Sequence, residues 1–147
     1  MKELLYLKDE QLIEFIEKIS TSYKKTFSDA KNILDKYSIG VAHHKAINLI
    51  FLYEGITISE LFDKLKITKQ SLNRILKDLI KIEVIEFKKD NRDTRLKHIY
   101  LNEKGTKLFD EIFNVQKKRI YQALLNSSSK EVLSFNNILN KIIDEKF

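Results

Sequence analysis

Residues 57–101 do most to limit what this chain can fold into. Their apolar side chains keep helical spacing through Leu61, Phe62 and Leu65, break at Lys66-Ile67, and resume at Leu72, Ile75, Leu76 and Leu79. Two β-branched, apolar-rich runs follow, 84–89 and 96–101. This order predicts a short helix, a tight turn, a second helix over 69–81 and a β-hairpin. Thr57, with Glu60 three residues on, fits a capping box for the first helix, and Ser59 is an alternative N-cap. Thr68 caps the second helix. The hairpin tip, Asp90-Asn91-Arg92-Asp93-Thr94-Arg95, is rich in residues that bond nearby backbone and favour turns.

The flanking sequence predicts long amphipathic helices. Leu12, Phe15, Ile16, Ile19, Tyr23, Phe27, Leu34 and Tyr37 recur every three or four residues, which predicts one helix over 9–37 with Asp9 as N-cap. Residues 2–8 either pack against it or extend it. A helix of that length suits a subunit interface; a core helix within one chain is the alternative. Gly40 is placed to stop it. A helix over 41–53 follows, with Ala46, Ile47, Ile50 and Phe51 apolar, then a small strand at 56–58. Asn102 caps a helix over 103–126, and Ser128 with Glu131 forms a second capping box. The last helix carries Val132, Phe135, Ile138, Leu139, Ile142 and Ile143. Its apolar face runs almost to the C-terminus, which is expected to be docked.

Composition removes several function classes. The chain has no proline, three glycines and no cysteine among 147 residues. Disulfides, thiolate metal sites and thiol redox chemistry are therefore excluded, and an all-β fold is disfavoured. No apolar run reaches the length of a transmembrane helix. The first residues, MKELLYLKDEQ, lack the apolar core and cleavage site of a secretory signal. A cytoplasmic protein without membrane contact is the expectation. Three histidines occur, His43, His44 and His98. The adjacent pair points about 100° apart on a helix and makes poor co-ligands. Neither a metal nor a cofactor is expected. No phosphate loop or nucleophile–base pattern stands out, so an enzyme is not expected.

Charge then points to a partner. Residues 66–97 hold ten basic and five acidic side chains, most of the chain's net charge of +6. Concentrated positive charge favours a polyanion through counterion release. Of 27 basic residues only four are arginine, Arg74, Arg92, Arg95 and Arg119, and three of them fall in this stretch. Lysine serves a phosphate well, whereas a planar fork is needed at a base edge or in a narrow groove. The outer face of the second helix carries Lys69, Gln70, Ser71, Asn73, Arg74 and Lys77, types that read base edges. A solvated face is the plain alternative.

The order of elements resembles the MarR family of transcription regulators. The motifs that carry the likeness are Ile67-Thr68-Lys69-Gln70-Ser71-Leu72-Asn73-Arg74, the tip at 90–95, and Ile99-Tyr100-Leu101-Asn102-Glu103-Lys104-Gly105. The resemblance implies a mainly α fold with a small β-hairpin wing: a winged helix-turn-helix over 38–102, flanked by dimerisation helices at 1–37 and 103–147 of one domain. It implies a homodimer binding double-stranded DNA, with a small-molecule effector between the dimerisation and DNA-binding parts. Arg95 falls on the wing arginine of the minor groove, Asp93 on the residue that orients the wing's basic side chains, and Ser71, Asn73 and Arg74 on major-groove positions. Thr68, Lys69, Gln70, Lys77, Lys88, Lys89, Arg92 and Lys97 complete the expected DNA surface. Tyr23, Phe27, Tyr37, His43 and His44 are the candidate effector residues, with burial in the core as the alternative. Two departures stand out. Glu83 replaces the family's glycine at the end of the recognition helix, where it should resist a left-handed cap, and Phe87 stands where an arginine is common. A winged-helix protein-interaction module with only nonspecific DNA affinity is therefore the rival reading, and sequence-independent DNA compaction a weaker one.

Overall fold

The structure, a computed structural model, describes residues 4–144. After a 3-10 turn at Leu5–Leu7, the helices are α1 Asp9–Ser28, α2 Lys31–Lys36, α3 Val41–Leu52, α4 Ile58–Leu65 and α5 Lys69–Lys81. Strands β1 Ile85–Lys89 and β2 Lys97–Leu101 form an antiparallel hairpin, and α6 Glu103–Leu125 and α7 Ser129–Asp144 follow. The chain is mainly α with a two-stranded wing.

The core lies where α3, α4, α5, the hairpin and the first half of α6 meet. Ile47, Leu61, Leu79, Val84, Ile99, Leu108 and Ile112 are fully buried there. The four inward residues expected on α5, Leu72, Ile75, Leu76 and Leu79, are all buried. Capping works as the side chains dictate except at α1, where Asp9 lies inside the helix and Lys8 stands at the N-cap without a side-chain bond. The hydroxyls of Thr57 and Thr68 accept from the amides of Glu60 and Ser71, each at 3.1 Å. Asn102 Oδ1 accepts from Gly105 at 2.8 Å, and Ser128 and Glu131 bond reciprocally.

The expected helix over 9–37 is divided at Asp29-Ala30. Neither proline nor glycine stands at the break, and α6 packs against it. Arg119 grips both carboxylate oxygens of Asp29 at 2.7 and 3.0 Å, and Gln116 donates to the Thr26 carbonyl at 3.0 Å. Those contacts tie the break to α6, and Ala30 beside them is fully buried in the core. Gly40 does not end the helix either. Ser38 adopts the left-handed conformation at φ 55°, Ile39 N–H bonds back to the Leu34 carbonyl, and Gly40 begins α3 in an extended conformation. Residues 56–58 make one bridge rather than a strand: Thr57 pairs with His98, and Ile99 N–H donates to the Ile56 carbonyl at 2.8 Å.

Among the described residues, α1 and α7 bury no side chain. Leu12, Ile16 and Ile19 on α1, and Phe135, Ile138 and Ile142 on α7, stand open to solvent in the single chain. The expected docking of the C-terminus falls on residues outside those described. No described helix is long and apolar enough to cross a membrane.

Candidate nucleic-acid interface

The α4–α5 corner is tight because Lys66 caps α4 in the left-handed conformation, φ 54°, and Thr68 starts α5 two residues later. With its apolar side packed inward, α5 turns Lys69, Gln70, Asn73, Arg74 and Lys77 to solvent. Ser71 is half-buried, and the Thr68 hydroxyl donates to the Ser71 hydroxyl at 2.9 Å, so this pair organises the helix start.

The end of α5 shows why the glycine replacement is tolerated. Glu83 sits at φ 61°, with its N–H bonded to the Ile80 carbonyl and that of Val84 to the Leu79 carbonyl. The left-handed cap forms despite the glutamate side chain, contrary to the expectation from its β-carbon. Asn102 holds the junction from the far side of the hairpin: its side-chain amide donates to the Glu83 carbonyl at 2.8 Å, and its N–H to that of Val84 at 3.2 Å. Phe87 is half-buried against the core, in register with Ile99 on the inward face of the hairpin.

The wing tip is built on two aspartates. Asp90 Oδ2 accepts from the amides of Arg92 and Asp93, both at 2.9 Å, which closes the turn. Asp93 then clasps Arg95: Oδ1 accepts from the Arg95 amide at 3.0 Å and from Nε at 3.1 Å, and Oδ2 accepts from Nη2 at 3.3 Å. The guanidinium holds the Asp93 carboxyl below the usual carboxylate range. The Arg95 side chain is nonetheless 89% exposed, so it is oriented without being covered. Lys89, Arg92 and Lys97 are exposed on the same hairpin. Lys88 is turned to the outer face, where its ammonium lies 4.6 Å from the centre of the Tyr100 ring and 3.7 Å from Glu86.

Between α5 and the wing runs an open cleft of about 660 Å³, bordered by Lys69, Asn73, Arg95 and Lys97. Thr57, Ser59 and Leu96 also line it; the sequence marks Thr57 and Ser59 only as helix caps and none of the three as a DNA contact. The sequence could have pointed to Ser59, which lies one residue inside a hydroxyl-capped helix.

The five candidate effector residues part company. Tyr23 and Phe27 line a largely apolar cavity of about 430 Å³ with Leu34, Ile39, Gly40 and Val41. Tyr37 lies outside it and donates to Glu111 at 3.2 Å. His43 bridges α3 to α5: it accepts the Gly40 N–H on Nδ1 at 3.0 Å, so its Nε2 proton goes to Asp78 at 2.9 Å. His44 is fully buried edge-on to Phe27, without a hydrogen-bond partner among the described residues, and burial pushes its imidazole below the ordinary value. Among the described residues no cluster of His, Cys, Asp and Glu could hold a metal ion.

The sequence profile of the MarR family matches residues 41–97, from the start of α3 to the start of β2. The chain is 38% identical over 141 residues to the HTH-type transcriptional regulator PetP of Rhodobacter capsulatus, covering 96% of this chain and 85% of that protein. In three dimensions it is similar to Staphylococcus aureus MepR in a complex with DNA, with a TM-score of 0.67, 18% identity and coverage of 95% of this chain and 98% of the other. It is also similar to Staphylococcus aureus MarR in complex with salicylate and kanamycin, with a TM-score of 0.71, 24% identity and coverage of 95% and 96%.

Proposed function

Since this chain belongs to the MarR family, we propose that it is a transcription regulator that reads double-stranded DNA as a homodimer. The observation that carries the reading is the pairing of α5's exposed polar face with an arginine that the wing orients in advance. In this reading α5 enters the major groove, with Gln70, Asn73 and Arg74 at base edges and Lys69 and Lys77 on phosphates. Lys88, Lys89, Arg92 and Lys97 draw the wing to the backbone, and Arg95, steadied by Asp93, enters an adjacent narrow minor groove, which favours A·T-rich flanks.

Dimerisation supplies the second reader. The exposed apolar faces of α1 and α7, continued by Phe113, Ile120 and Leu124 on α6, are too extensive for a soluble single chain and suit pairing with a second copy. Two-fold symmetry then implies a roughly palindromic site with half-sites about one helical turn apart. The cavity beside Tyr23 and Phe27 suits a small, largely apolar effector. It lies where α1 and α2 meet the start of α3, and His43 links the Gly40 rim to α5.

Selection of bound sequences from random duplex DNA tests the reading. A palindromic motif with that spacing is expected. Recovery of no motif, with the protein folded and dimeric, would overturn it.

A further inference from the structure

His98, on β2, sits between two groups that can only accept. Its Nδ1 lies 2.6 Å from the carbonyl oxygen of Gly55, and its Nε2 lies 2.8 Å from Oδ1 of Asp90. A carbonyl has no proton to give. The Asp90 carboxyl is held below its usual range by the His98 bond first and the Asp93 and Arg92 amides next, so it too is an acceptor. A neutral imidazole carries one N–H and would aim a lone pair at one of these oxygens. Only the imidazolium satisfies both.

The two anchors belong to different parts of the reader. Asp90 closes the wing tip that orders Arg92 to Arg95. Gly55, at φ 79°, forms the turn that leads to Thr57, the cap of α4. Among the described residues, apart from the single bridge at residues 56–57, this histidine is the polar tie between the far end of the wing and the helix-turn-helix. We propose that His98 is a positioning residue for DNA reading: as a cation it fixes the wing tip against the turn before α4, and loss of its proton releases the tip. This rests on the DNA-reading assignment above.

The surrounding charges favour the cation. Asp90 faces it from the wing loop and Glu60 from α4, while Glu54 precedes Gly55 in the turn. Lys88 stands directly across on β1 and opposes it, but its ammonium is drawn aside to Tyr100 and Glu86. The Asp90 bond, then the Gly55 carbonyl, raise the imidazole above its ordinary value against a smaller opposing effect of burial. By linkage, DNA that requires the ordered wing must also favour proton uptake.

The test has two arms. In the free protein, NMR should show the His98 ring titrating above the usual histidine range, with the amides of Gly55, Asp90, Arg92, Asp93 and Arg95 shifting in the same step. In His98→Gln those amides should stay still over that interval. In the second arm, anisotropy at fixed ionic strength follows an A·T-rich duplex of about 21 bp. Wild-type affinity should fall roughly fivefold or more as pH rises through the His98 step. His98→Gln should remove that step. Wing amides indifferent to the His98 titration, or a wild-type pH profile in His98→Gln, would overturn the proposal. Absence of duplex binding at every pH would overturn the DNA-reading assignment and the link to affinity, while the amide titration still decides whether His98 holds the wing.

Discussion

A β-carbon on Gly105 would overlap the carbonyl oxygen of Val84. That carbonyl closes the junction between α5 and the hairpin and already accepts the Asn102 N–H. The glycine in the first turn of α6 is therefore a steric requirement of the helix packing closely on the strand's entry.

Gly105→Ala should cost about 3 kcal/mol, the upper range for overpacking, because backbone has to yield. Urea unfolding measures it. A loss within about 0.5 kcal/mol, the range of neutral surface changes, would show that the two segments part easily.

Glu83→Gly should stabilise the chain. A left-handed conformation costs a residue with a β-carbon about 1–2 kcal/mol, while glycine's greater freedom when unfolded offsets about half of that. A net gain of about 0.5–1 kcal/mol is expected in the same unfolding measurement. Destabilisation would mean that the Glu83 side chain contributes more than its exposed, 3.9 Å approach to Lys104 suggests.

Arg95→Ala should weaken duplex binding by about 1–3 kcal/mol. Arg95→Lys should not restore it, because an ammonium lacks the fork that meets both oxygens of Asp93. Titrations at matched salt decide this; unchanged affinity in Arg95→Ala would remove the wing from the DNA-reading surface.

Leu124→Asp and Ile138→Asp should give soluble monomers with intact helices, since both side chains are exposed within one chain. Sedimentation against protein concentration reads the change. Variants that sediment as the wild type does would place any subunit contact elsewhere.

Acid should loosen the α1–α6 contact. Hydrogen bonding by Arg119 lowers the Asp29 carboxyl below its unfolded value. The stabilisation is thus present above the ordinary aspartate range and is lost as pH falls through the depressed folded value. Asp29→Asn should flatten that part of the stability profile; a slope equal to the wild type's would show that other carboxylates carry it.

Local chemistry was legible in the sequence. Thr57, Thr68, Asn102 and Ser128 cap helices as their side chains dictate, and the inward face of α5 follows from its spacing alone. The helix break at Asp29 was not, because the residue that grips it, Arg119, lies 90 residues away on α6. Ser38 and Glu83 take left-handed conformations that residue preference assigns to glycine, each closed by a bond from the next amide, Ile39 to the Leu34 carbonyl and Val84 to that of Leu79. No local pattern in the sequence marks His98 as a structural tie. Its tie to Asp90 needs the hairpin register, and its tie to Gly55 needs the tertiary fold.

The junction around Asn102 has a mechanical consequence. One side chain joins the end of α5, the entry to the hairpin and the first turn of α6. Reader and wing are thus mounted on one end of a rod of 23 residues, about 35 Å long. Tilting that rod by about 5° about its far end swings the reader by about 3 Å, close to the rise of one base pair. In the proposed dimer, a small change of angle between the subunits would in this way displace each reading helix by about one base-pair rise.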